Sequence, residues 1–219
     1  MIIDCHGHYT TAPKPLKDWR QRQIDSLKDS APTPKAPPVI SDDEIRESLQ
    51  GAQLQSMRDR GVDFTIFSPI AGQMGHHIGN RNTSETWSAI CNELIHRVCT
   101  MHPDKFVGVC QLPQSPGVAP ANCIPELERC VNEYGFIGCN LNPDPSGGYW
   151  TDPPLKELLL KNVYFDTCVY HKPGFNFDDT KRYIDSIDGL SAGDREKIFN
   201  GNVRRVYSRY GKQAALDSV

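Results

Sequence analysis

At 219 residues the chain is long enough to bury one sizeable core, and a composition 38% hydrophobic and 23% charged excludes a disordered or fibrous protein. A net charge of −3 with both signs interspersed leaves no basic stripe for nucleic acid. No apolar run approaches the ~20 residues of a membrane-spanning helix. The expectation is one domain over residues 1–219 with a small-molecule partner, no membrane and no nucleic acid, and association with a second copy left open.

The first nine residues hold the most chemistry. Ile2 and Ile3 read as the end of a short buried strand, and the polar run from Asp4 to Tyr9 follows where that strand leaves the core. Side chains two apart on a strand point to one face, so His6 and His8 can aim both imidazoles at one point, with Gly7 adding little bulk between them. Two neutral imidazoles so placed suit a divalent metal such as zinc. Spacing alone also fits ordinary surface or core histidines. The position at the mouth of a first strand, where α/β folds carry their sites, favours ligands.

Residues 10–40 carry Pro13, Pro15, Pro32, Pro34, Pro37 and Pro38 and predict a long irregular loop, with a helical turn near Trp19, that serves as a lid or is a plain insertion. Ser41 to Glu44 is a capping box, predicting a helix from Asp42 to Arg60 that Gly61 ends. Val62 to Pro69 reads as a strand, followed by a loop from Ala71 to Arg81 that carries His76 and His77. A strong amphipathic helix starts at Asn82 and buries Trp87, Cys91, Leu94, Ile95 and Val98. Phe106 to Leu112 is a strand, Asn122 to Glu133 a helix, Phe136 to Leu141 a strand, and Val163 to Tyr170 a fifth strand. Ser191-x-x-Asp194 caps a last helix ending at Asn200-Gly201. Strands alternating with helices at this spacing predict a parallel sheet whose post-strand loops gather on one face. There Asn140 and Asn142 could hold a carboxylated ligand, or form part of a solvent turn.

The eight cysteines form no Cys-x-x-Cys, and several fall inside apolar patterns. Nothing at the start reads as a signal peptide. Reduced thiols in a cytoplasmic protein are the expectation.

The opening Ile3-Asp-Cys-His6-Gly-His8 resembles the strand-one metal motif of the amidohydrolase superfamily, in its decarboxylase and hydratase branch. Further segments are similar to the 4-oxalomesaconate hydratases of that branch: Thr65-Ile-Phe-Ser-Pro69, His76-His-Ile-Gly79, Ala89-Ile-Cys-Asn-Glu-Leu94, Leu112-Pro-Gln-Ser-Pro-Gly117, Asn140-Leu-Asn-Pro-Asp-Pro-Ser-Gly-Gly148, Phe165-Asp-Thr-Cys-Val-Tyr-His171 and Asp179-Thr-Lys-Arg-Tyr183. The resemblance implies a (β/α)8 barrel with its site at the C-terminal mouth of the strands. With five strands legible, the barrel is expected to be incomplete, lacking one block of the family pattern between Pro154 and Lys156 and another near Asn176.

By the same resemblance His6 and His8 are metal ligands, zinc is the expected ion, and His76, His77, Arg81, Asn140 and His171 border the substrate pocket. No residue is matched to the family's other metal ligands or to its catalytic acid or base. The implied reaction is hydration of an unsaturated keto-polycarboxylate of the 4-oxalomesaconate type, from aromatic-acid degradation. One alternative is metal-dependent non-oxidative decarboxylation. Another is an inactive remnant lacking part of the metal site.

Overall fold

The computed structural model describes residues 1–28, 34, 36–70, 78–140 and 188–207. Three parallel strands stand in chain order: β1 (Ile3–His8), β2 (Phe64–Ser68) and β3 (Phe106–Gly108). A second parallel pair joins β4 (Cys110–Gln111) to β5 (Cys139–Asn140). The strand expected from Phe106 to Leu112 is thus divided at Val109. The Val109 amide donates to Phe67 O at 2.9 Å and the Cys110 amide to Gly138 O at 3.0 Å, so the ladder passes there from one neighbour to the next. Four strand positions lie side by side with a helical connection between each, the start of a barrel wound in one direction. The strand expected over 163–170 lies outside the described residues.

The sheet has two apolar faces. Ile3, Phe64, Ile66, Val107, Val109 and Ile137 form the inner cluster. The alternate residues Phe67, Phe106 and Cys110 join Tyr9, Phe136 and the helices in the outer cluster, as the period of two requires. The helices of that outer layer are α1 (Lys14–Lys28), α2 (Asp42–Gln50), α3 (Gln53–Arg60), α4 (Arg81–Met101) and α5 (Ile124–Asn132).

The region expected as an irregular loop holds α1, which corrects that reading. Pro15 is the second residue of the helix, where an amide has no intrahelical acceptor and proline costs nothing. Trp19 of this helix is 1% exposed. It stacks on Trp87 at 6.1 Å between centroids with planes 8° apart, and its indole N–H donates to Ala36 O at 2.6 Å. Part of the expected cover is therefore core.

The helix expected from Asp42 to Arg60 is two. Ser41 caps α2 through the expected box with Glu44, Gly51 ends it, and α3 runs on to Gly61, whose φ of 64° supplies the left-handed cap. Helix α4 begins at Arg81, one residue earlier than expected, because Asn80 is its cap, accepting from the Thr83 amide at 3.1 Å. Near the C-terminus, Ser191 caps α6 (Ala192–Glu196). A π-helical turn (Lys197–Gly201) carries the chain past the expected end into α7 (Asn202–Tyr207). There Asn200 donates to Met1 O at 2.9 Å, and Val203 packs on the inner cluster. Among the described residues no helix is long and apolar enough to cross a membrane.

Candidate metal and substrate site

The register of β1 on β2 shifts between Asp4 and Gly7, and this irregularity reverses the alternation along β1. Ile3 packs on the inner face, whereas a Cβ on Gly7 would meet Thr65 and Phe67 toward the outer one. His6 and His8 therefore share the inner side of the strand's C-terminal end. Their Nε2 atoms converge to 2.8 Å, with the rings edge to face.

The far nitrogen of His8 is fixed from β2. Nδ1 lies 2.7 Å from Ser68 Oγ and 3.1 Å from Pro69 O. A carbonyl only accepts, so the imidazole proton sits on Nδ1, and Nε2 presents its lone pair toward His6. Ser68 Oγ in turn donates to Gly7 O at 3.0 Å. The back of β1 is held as firmly: Gln53 donates to His8 O at 2.7 Å, and the Tyr9 hydroxyl meets Ser48 Oγ at 2.5 Å. Burial pushes the Tyr9 phenol above its ordinary range, against the lowering effects of Ser48 and Arg97, so it serves as a neutral anchor.

These residues fit a metal ion as a pair of donors. With the His8 Nε2 unprotonated, the 2.8 Å contact is satisfied either by a proton on His6 Nε2 or by one cation that both nitrogens reach at the roughly 2.0–2.1 Å usual for zinc. The carbonyl held to Nδ1 is the outer partner that ligating histidines ordinarily keep. Among the described residues no group of three or more His, Cys, Asp or Glu side chains is arranged to hold an ion. A cleft of about 360 Å³ opens beside the pair, lined by Asp4, His6, His8, Gln53, Ser56 and Arg60 among others.

The other expected site residues fall in three groups. His76, His77 and His171 lie outside the described residues. Arg81 stands on the first turn of α4, largely exposed, with its Nε on Glu85 at 2.8 Å, and does not line the cleft. Asn140 ends β5 in register with Gln111. Its Nδ2 is buried with no hydrogen-bond partner among the described residues, a donor set at the strand's C-terminal end. Sequence reasoning missed Ser68, Pro69 and Gln53. A parallel pairing of β1 with β2 brings the two C-terminal ends together, which was the available signal for Ser68.

The amidohydrolase family model matches residues 3–169. The 2-keto-4-carboxy-3-hexenedioate hydratase of Sphingobium sp. is 35% identical over 331 alignment positions, covering 95% of this chain and 96% of the relative. Those positions exceed the chain's 219 residues by 112, so at least that many residues of the relative have no counterpart here. The crystal structure of 4-oxalomesaconate hydratase from Rhodopseudomonas palustris superposes with a TM-score of 0.82 at 37% identity, covering all of this chain and 98% of that one. The gamma-resorcylate decarboxylase of Rhizobium radiobacter is 30% identical over 111 residues, half of this chain and 32% of that enzyme.

Proposed function

This chain belongs to the amidohydrolase family, and from that premise we propose that it descends from, and acts as, a hydratase-like lyase on an unsaturated keto-polycarboxylate of the 4-oxalomesaconate type. One observation carries the choice over decarboxylation: the likeness to the hydratase runs along 95% of the chain, that to the decarboxylase along half. His6 and His8 are proposed to hold one divalent ion, with zinc the first candidate. Such an ion, when bound, supplies a Lewis acid that polarises oxygen and lowers the pKa of water.

The rest of the work falls to side chains. Ser68 and Pro69 hold His8 in the tautomer that leaves the Nε2 lone pair facing His6. The Asn140 amide is proposed to seat a substrate carboxylate, with His76, His77 and His171 as further pocket residues. The proposed setting is cytoplasmic, and association with a second copy belongs to the same reading.

A second reading rests on a specific observation: at least 112 positions of the hydratase have no counterpart here, and two converging donors are fewer than the three a catalytic zinc takes. On that reading the chain is an inactive remnant of a hydratase. Elemental analysis of the purified chain, beside His6→Ala and His8→Ala, separates the two. The expected result is one equivalent of metal, lost in both variants, followed by loss of the conjugated chromophore of 4-oxalomesaconate on assay. A folded chain without metal favours the remnant. Carbon dioxide release from an aromatic acid without hydration favours the decarboxylase.

A further inference from the structure

Behind the sheet, four cysteines gather between β4, β5 and α5, and the proposed reaction uses none of them. Cys110 on β4 and Cys130 on α5 are buried, Cys123 at the start of α5 is buried, and Cys139 on β5 is exposed. Cys110 and Cys139 are register partners on adjacent parallel strands, which lie about 4.7–4.9 Å apart. That spacing falls within the roughly 4.4–6.8 Å between Cα atoms of a disulfide. Side chains in register point to the same face, and the Cys110 thiol touches those of both Cys130 and Cys139. Cys130 is committed elsewhere, its thiol donating to Glu126 Oε1 at 3.5 Å. Among the described residues the cluster is not arranged to hold a metal ion.

We propose that Cys139 and Cys110 are a peroxide-sensitive thiol pair that closes to a reversible disulfide between β5 and β4. Exposure decides the order. Cys139 is an exposed residue and Cys110 a buried one, and the hydrogen bond from Cys110 holds the Cys139 thiol below its ordinary range, outweighing the desolvation of its partly covered sulfur. The neighbouring Cys130 and Cys139 thiols, with burial, hold Cys110 far above it. Cys139 is thus the nucleophile and Cys110 the resolving thiol.

In the first step the Cys139 thiolate attacks one oxygen of hydrogen peroxide. The S–O bond forms, the O–O bond breaks, and the departing hydroxide takes a proton to become water. In the second, Cys110 sulfur attacks the Cys139 sulfenic acid. The S–S bond forms, the S–O bond breaks, and the leaving hydroxide accepts the Cys110 thiol proton as a second water. Two thiols and one peroxide give one disulfide and two waters. The register that pairs these cysteines also pairs Gln111 with Asn140 one residue on, so the bond would clamp the strand ends that carry both amides. Cys139 is an exposed residue, so an external thiol can reach the bond and reverse it by exchange.

The test treats the intact purified chain with hydrogen peroxide, alkylates the remaining thiols, and maps them by peptide mass spectrometry, with dithiothreitol reversal and dimedone trapping. The expected result is joint loss of alkylation at Cys139 and Cys110, a mass lower by two hydrogens, full reversal by dithiothreitol, and the same link in Cys130→Ser. In Cys110→Ser, Cys139 should instead carry dimedone. A disulfide joining Cys110 to Cys130, a link through the exposed Cys5, or a Cys139 that remains alkylatable after oxidation would overturn the proposal. The unmutated chain alone yields each of these readings, so a variant that fails to fold does not blunt the test. The outcome is independent of whether the metal site is active.

Discussion

Ser68 does for His8 what a bound ion cannot do for itself: beside the Pro69 carbonyl that fixes the tautomer, it holds the ring in place before anything binds. Replacing Ser68 by Ala removes a 2.7 Å contact to Nδ1 and a bond to Gly7 O while leaving Pro69 O in place. Metal affinity should fall by about 10- to 100-fold in a chelator competition, with unchanged cooperativity of unfolding. Gly7 is constrained more tightly, since a Cβ there would sit 2.2 Å from Thr65 Cγ2 and 3.2 Å from Ile66 O. Gly7→Ala should cost about 1–3 kcal/mol by urea denaturation. The period of a strand made the convergence of His6 and His8 legible. It could not reveal Ser68 as a partner, because that contact joins residues sixty apart in sequence, nor the irregularity after Asp4 that sets which face the pair occupies.

Helix α1 illustrates how proline signals mislead at the level of an element. Prolines at 13 and 15 read as breakers, yet a helix tolerates proline in its first turn, and the burial of Trp19 against Trp87 rewards the ordered helix that follows. Trp19→Ala should therefore destabilise the fold by roughly 3–5 kcal/mol, read from the shift of the denaturation midpoint. The capping boxes at Ser41 and Ser191 were readable because their residues are local. The break at Gly51 and the division at Val109 depend on neighbouring elements and were not.

The box at α2 also sets a pH dependence. Bonds from the Ser41 amide and hydroxyl hold the Glu44 carboxyl below its ordinary range. Its contribution is thus complete above the ordinary carboxylate pKa and is lost as pH falls through the lowered one. Glu44→Gln should be less stable than the parent chain at neutral pH, and the gap should close on acidification, as paired denaturation curves would show.

At the scale of the molecule, the parallel pairing of the strands followed from the alternation of strands and helices. The size of what this chain lacks relative to its hydratase relative did not, because omitted residues leave no trace in the composition of those that remain. The inner face is partly covered by an unexpected element: Val203 of α7 packs on it, and Asn200 ties the π-helical turn to Met1. The pairing of β1 with β2 carries a consequence for the order of assembly. Ile3 pairs with Phe64 and His8 with Ser68, so β1 leaves the ribosome some sixty residues ahead of the strand it pairs with. Both histidines are thus translated well before the strand that positions them, and any ion they take up before β2 arrives meets a loose peptide in place of a site.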